Sequence, residues 1–217
     1  MVKLVDSSGL SIRNFKICSF GLILHRMSKT TLTRKQEICI TAARLFKQKG
    51  YSAVTMRDIA AKVGIKAASL YNHISSKEEI LNEVILVIAH EFTSGIEEIR
   101  FSNQDVSVKL EAVVSQHVHL TMTHPYGMAS LNNDWMHLGK GTQRYLDLRD
   151  TYEMHFRAIL IEGKKAGGLK DIDEEVILFF ILGSLRNLYQ WVPKKNNLDK
   201  DKLITSLCQT LLRGIEI

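Results

Sequence analysis

Thr55-Met56-Arg57-Asp58-Ile59-Ala60-Ala61-Lys62-Val63-Gly64-Ile65-Lys66-Ala67-Ala68-Ser69-Leu70-Tyr71-Asn72-His73-Ile74-Ser75-Ser76-Lys77 is the stretch whose reading decides the fold. Met56, Ile59, Ala60 and Val63 recur at i, i+3, i+4 and i+7, which predicts one short amphipathic helix over 56–63 with Thr55 capping its first free N–H groups. Gly64 ends it, because glycine takes the left-handed conformation that a sharp turn needs, and Ile65 turns inward before a second short helix at about 66–72. Leu70 and Ile74 form the buried ridge of that second helix. Ala60 falls where the two helices cross and must stay small. The pattern is a helix-turn-helix.

The outward residues of the second helix, Lys66, Ala67, Ser69, Asn72 and His73, are short or polar and include no acid, which suits a surface laid into a major groove beside phosphates. A helical hairpin buried in an ordinary core is the competing reading of the spacing alone. The flanks decide between them. Ala42-Ala43-Arg44-Leu45-Phe46-Lys47-Gln48-Lys49-Gly50-Tyr51, then Thr55, Arg57-Asp58-Ile59-Ala60, Ser69-Leu70-Tyr71-Asn72-His73-Ile74 and Ser76-Lys77-Glu78 closely resemble the DNA-binding domain of the TetR family of transcriptional repressors, over residues 33–85. By matching position, the resemblance implies that Arg57, Ala67, Ala68, Ser69 and Tyr71 face bases or sugars. Thr55, His73 and Lys77 would grip phosphates, with Lys66 and Asn72 on the same surface. Ala67 and Ala68 stand where relatives often carry a longer polar residue, leaving fewer direct hydrogen bonds and room for thymine methyls. Asn72 stands where an aromatic is common, which leaves the target sequence open.

The 217 residues, 45% hydrophobic and 24% charged, can bury a substantial core. Two prolines and abundant Leu, Ile, Lys, Glu and Ala favour helices over sheet. Cys18, Cys39 and Cys208 are odd in number and in no metal-ligand spacing, which points to a reducing cytoplasm rather than a disulfide scaffold. No uninterrupted apolar run reaches about 18 residues, so no membrane span is expected. The net charge of +6 hides an asymmetry: residues 27–77 carry ten basic side chains against two acids, whereas 78–217 carry 15 against 20. A basic head on an acidic body is the footprint of a polyanion-binding domain joined to one that binds no polyanion.

Residues 1–30 are expected to be a disordered or misassigned N-terminal extension. The apolar run Ile17–Leu24 is short, ends in His25-Arg26 and lacks a small-residue cleavage site, so a signal peptide is not indicated. The DNA-binding domain then covers 31–77 and a helical ligand-binding and dimerisation domain covers 78–217. Its helices are expected at about 33–49 in the head, then 77–100, 105–123, 126–137, 142–167, 173–191 and 199–215 in sequence. Ser76 and Glu79 form a capping box at the start of the first of the body helices. The helix at 173–191 is apolar almost all round through Val176, Ile177, Phe179, Phe180, Ile181, Leu182, Leu185, Leu188 and Tyr189, and must be covered on several sides. The resemblance implies that the last two helices of each protomer form a four-helix dimer interface.

His117, His119, His124 and His137 invite a metal reading, but 117 and 119 point about 200° apart on one helix and no Glu-x-x-His pair is present. No metal or cofactor is expected. No phosphate loop, Gly-x-Ser-x-Gly or Cys-His pattern suggests an enzyme. The stretch Arg144-Tyr-Leu-Asp-Leu-Arg149-Asp150-x-Tyr152-x-x-x-Phe156, with Ile161-Glu-Gly-Lys-Lys-Ala-Gly and Leu182-Gly-Ser-Leu-Arg-Asn-Leu-Tyr-Gln-Trp191, is similar to the ligand domain of TetR-type regulators that sense acyl-CoA thioesters. Trp135, Tyr152, Phe156 and Phe180 would line a pocket for that or another apolar effector; the same spacing also fits bundle packing.

The expected protein is therefore all-α: a dimeric repressor released from a palindromic double-stranded operator by a small apolar effector, acyl-CoA being one candidate. The alternative is a helical ligand-binding protein or enzyme without specific DNA binding.

Overall fold

Glycines and capping hydroxyls divide the N-terminal part of the chain into three short helices, as the computed structural model, which describes residues 32–216, shows. The expected extension at 1–30 lies outside the described residues. Helix α1 (Arg34–Lys49) buries Ile38, Ala42, Leu45 and Phe46 and stops at Gly50, whose φ is +82°. Helix α2 (Met56–Val63) starts under a full capping box: the Thr55 side chain accepts from the Asp58 N–H while the Asp58 carboxylate accepts from the Thr55 N–H at 2.8 Å. It ends at Gly64, φ +77°, a backbone geometry that costs any residue with a Cβ roughly 1–2 kcal/mol. Helix α3 (Ala67–Tyr71) follows, pinned by Leu70, which is fully buried.

Helix α4 (Lys77–Phe101) serves two cores. Ile80, Leu81 and Ile85, in its first half, close the head core around Ile38, Phe46, Ile59 and Leu70, whereas Ile88, Phe92 and Ile96 belong to the body core. The chain from Arg34 onward packs as one unit, and the division expected at 77/78 falls at the start of this shared helix. The Ser76 hydroxyl accepts from the Glu79 N–H, but the Glu79 carboxylate accepts from the N–H and hydroxyl of Ser75. The expected Ser76–Glu79 box is thus split between neighbouring serines.

The body follows with α5 (Val106–Thr123), α6 (Gly127–Asn133), two 3-10 turns at Trp135–His137 and Gly139–Gly141, α7 (Thr142–Lys165), α8 (Glu174–Arg186), α9 (Leu188–Trp191) and α10 (Lys200–Leu212). Two expected helices are broken. The 126–137 helix stops at Asn133, and the 173–191 helix breaks at Asn187, whose side-chain amide takes the Gly183 carbonyl at 2.7 Å. The chain's end returns to the α7–α8 connection, where the Lys170 N–H donates to Ile215 O at 2.8 Å beside an isolated Leu169–Glu216 bridge. No strand is formed among the described residues.

Helix α8 buries Ile177, Leu178, Ile181, Leu182 and Leu185 but leaves Val176, Phe179 and Phe180 between 50% and 61% exposed. The outward face of α10, Thr205, Ser206, Gln209 and Thr210, is polar, so of these two helices α8 carries the exposed large apolar side chains. The 174–194 stretch is also long and apolar enough, by composition, to cross a membrane; its buried side is core of this body.

Candidate nucleic-acid interface and effector cavity

The head presents one polar ridge. Thr55, Arg57, Lys66, Ala68, Tyr71, Asn72 and His73 are exposed, and Ser69 is half-buried. Tyr71 is 54% exposed, with its phenol turned to solvent. Among the described residues, the side chains of Arg57, Lys66, Ser69, Tyr71, Asn72 and His73 make no hydrogen bond or ion pair. Ala67 differs from the expectation: it is half-buried and packs on the head core, because it lies three residues before Leu70 on the same side of α3.

Lys77 is also corrected. Its ammonium donates to the carbonyls of Tyr51 and Val54, both at 2.8 Å, and of Ser52 at 3.4 Å, and lies 4.3 Å from the Tyr51 ring centre. A charge committed to three carbonyls closes the α1–α2 connection and is not free to grip a phosphate. Other head cations are engaged too. Lys35 pairs with Glu83 at 2.9 Å and Glu79 at 3.2 Å on α4, and Arg44 lies 4.9 Å above the Tyr126 ring. The free positive charge on the ridge is therefore narrower than the sequence count, and it sits on Arg57, Lys62 and Lys66.

A second feature is a cavity of about 140 Å³ in the body, partly open to solvent and lined by α4, α5, α6, α7 and α8. Its apolar lining includes Phe92, Met128, Leu131, Trp135, Leu148 and Leu182; its polar lining is Thr93, His117, Asn132, Tyr145, Arg149, Tyr152 and Arg186. Helix α7 contributes Tyr145, Leu148, Arg149 and Tyr152, spaced i, i+3, i+4, i+7, so one stripe faces the chamber. Trp135 and Tyr152 stand where expected. Phe156 continues the stripe one turn too far: it is fully buried, 6.3 Å ring to ring from Tyr152, in solid core beyond the cavity. Phe180 is on the outside. Leu182 and Arg186 turn the inner face of α8 to the cavity, and two residues from Leu182 is about 200° around the helix.

His117 was legible only as one of four histidines. Buried among aromatics, with its Nε2 2.9 Å from the Tyr152 hydroxyl, its pKa is pushed down to about 3, so the ring is neutral. Burial likewise pushes the Tyr152 phenol up. His119, on the opposite face, lies 3.4 Å from Lys200. Among the described residues no group of three His, Cys, Asp or Glu side chains is placed to hold a metal ion.

Head and cavity meet at α6 and the turn after it. Lys47 of α1 donates to the carbonyls of Pro125 and Tyr189, and the Tyr51 ring stacks on His137 at 5.0 Å. The Asn82 amide donates to Leu138 O at 3.0 Å. Met128, Leu131 and Trp135, in the same segment, line the cavity.

Residues 38–84 match the family model described as bacterial regulatory proteins, tetR family, and residues 103–215 match the tetracyclin repressor-like C-terminal domain. The chain is 27% identical over 185 residues to the HTH-type transcriptional repressor KstR2 of Rhodococcus jostii, covering 84% of this chain and 91% of that protein. The ketosteroid transcriptional regulator KstR2 of Mycobacterium tuberculosis has the same fold, with a TM-score of 0.81 over 87% of this chain and 97% of that one at 21% identity. PfmR, a TetR family regulator from Thermus thermophilus, superposes with a TM-score of 0.73 at 26% identity, over 83% and 99% of the two chains. This protein belongs to the TetR family of bacterial transcriptional regulators.

Proposed function

We propose that the protein is a dimeric repressor that holds a palindromic operator with two copies of the α2–α3 ridge and lets go when an apolar effector enters the body cavity. The observation that carries this reading is the unpaired ridge. Arg57, Lys66, Ser69, Tyr71, Asn72 and His73 share an exposed surface with no internal partner, and it contains no acid. Arg57, Lys62 and Lys66 supply charge to phosphates, while Ala68, Ser69 and Tyr71 reach base edges and sugars. Asn72 and His73 would meet the DNA backbone, and Thr55, whose hydroxyl already donates to Asp58 at 2.6 Å, would lie beside it.

The exposed Val176, Phe179 and Phe180 patch supports pairing of two protomers through α8. Two heads fixed on a twofold body demand half-sites at one spacing, so a small change in head separation loses one head's contacts. The α6 segment supports the coupling, since it lines the cavity and also carries the hydrogen bonds to α1 and α4. A relative is titled a ketosteroid transcriptional regulator and the 144–191 stretch resembles acyl-CoA-responsive regulators, which makes apolar ring compounds, as acids or as CoA thioesters, the first effectors to try. The protein would act in the cytoplasm, where its DNA is.

The test is fluorescence anisotropy of the duplex upstream of its own gene, with and without a ring-containing carboxylic acid or its CoA thioester. Tight binding that falls steeply with salt and is relieved by the effector supports the reading. Binding that is absent, or equal for every sequence, refutes it.

A further inference from the structure

The polar lining of the cavity is one-sided. No carboxylate lines it, yet two guanidinium groups do, Arg149 and Arg186. Arg186 is committed, since its Nη2 donates to the Glu153 carboxylate at 2.8 Å. Arg149 is only partly so. Its guanidinium lies 5.7 Å from the Trp135 ring centre and 3.7 Å from Asp150, whose side chain is 70% exposed; its own side chain is 36% exposed, yet its buried Nε has no hydrogen-bond partner among the described residues. A buried N–H left without an acceptor is costly unless something else supplies one.

His117 adds a second unused donor. Its Nδ1 is buried without a partner, and its Nε2 faces the Tyr152 hydroxyl. That hydroxyl makes no other hydrogen bond among the described residues, so it is satisfied as a donor only by giving its proton to Nε2. In the neutral ring the remaining proton is then on Nδ1. Arg149 and His117 thus offer N–H groups, one of them cationic, in a chamber otherwise walled by Phe92, Trp135, Leu148 and Leu182.

The size narrows the ligand further. An apolar cavity of about 150 Å³ takes a molecule the size of benzene, so the roughly 140 Å³ here suits a ligand whose buried part is one ring.

We infer that the cavity recognises a compact, ring-sized carboxylic acid, its carboxylate accepting from Arg149 and His117 and its hydrocarbon lying against the aromatic wall. This rests on reading the cavity as the effector site. Converting the acid to an ester or a thioester removes the charge that Arg149 would pair with, so the free acid is the ligand and its CoA thioester is not.

Isothermal titration calorimetry of the full chain with cyclohexanecarboxylate, its methyl ester and its CoA thioester tests this. The acid is expected to bind at least tenfold more tightly than either derivative, and Arg149→Gln to abolish that preference with Arg149→Lys restoring part of it. The acid-to-ester ratio on the unaltered protein stands whether or not the variants fold. An ester or thioester binding as well as the acid, a preference surviving Arg149→Gln in a folded protein, or no binding by any of the three overturns the inference. Anisotropy with the upstream duplex, run on the same preparation, separates the two readings. If the DNA is bound but the acid is not preferred, only the ligand class is wrong; if no DNA is bound, the regulator reading itself fails.

Discussion

The ammonium of Lys47, on the first helix of the head, donates to the carbonyl of Tyr189 at 3.3 Å, joining positions 142 residues apart. Together with its bond to Pro125 O at 3.2 Å, it bolts α1 to the body at the start of α6. Lys47→Met keeps the stem and removes the donor, leaving two carbonyls to water. If this contact sets the angle of the head, the variant will bind its best operator more weakly and will tolerate a one-base-pair change in half-site spacing better than the unaltered protein. Competition binding with spacing variants reads this out, and an unchanged spacing preference would count against it.

Lys77 gives a second expectation. Three backbone carbonyls surround its ammonium, and such charge-assisted bonds contribute on the order of 1–3 kcal/mol. Lys77→Met should therefore destabilise the protein by about that much, read from urea unfolding. The salt dependence of DNA binding should stay as it was, because this ammonium is already held by three carbonyls. A reduced salt slope with unchanged stability would return Lys77 to the DNA contacts.

Those two lysines show what the sequence could and could not reveal. Punctuation was legible: Gly50, Thr55, Gly64 and Ser76 set the head helices to within a residue or two, since caps and left-handed turns act locally. The partners of long side chains were not. Nothing near Lys77 in the chain announces the carbonyls of Tyr51 and Val54. The apolar pattern of α8 is legible, but which of its aromatics faces inward depends on where α5 and α7 pack, so the sequence points Phe180 at the cavity, where the structure leaves it 58% exposed, and gives no sign that Arg149 lines it. Asn187 breaks that helix through a side-chain bond that competes with helix continuation, and asparagine gives only a weak signal of it.

Acid should loosen the head. Hydrogen bonds from the Thr55 side chain and N–H hold the Asp58 carboxyl below its ordinary 3.8, and bonds from Ser75 hold Glu79 below 4.5. A depressed folded pKa means stability that is present above those ordinary values and lost as pH falls through the lower folded ones. Thermal melts should therefore drop in temperature below about pH 4, and Asp58→Asn should flatten part of that drop while lowering stability at neutral pH. An identical acid profile for the variant would argue against the capping box as its source.

Phe180→Asp tests the pairing face. Phe180 is 58% exposed beside Phe179 and Val176, so the substitution costs the monomer little while placing charge where two α8 helices would meet. Sedimentation should show monomers, and binding to a full palindrome should fall to the level of a half-site. A dimer that persists would move the interface elsewhere.

The most direct test of the central claim is the binding of Tyr71→Ala and Ser69→Ala to a panel of duplexes from the upstream region. Three unpaired cations beside each ridge, Arg57, Lys62 and Lys66, give six in a dimer and, if those alone meet phosphates, a slope of log affinity against log salt of roughly −5. The account predicts that slope for the unaltered protein, a uniform loss of binding for Tyr71→Ala, and an altered order of preferred sequences for Ser69→Ala. Unchanged affinity and sequence preference in both variants would contradict it.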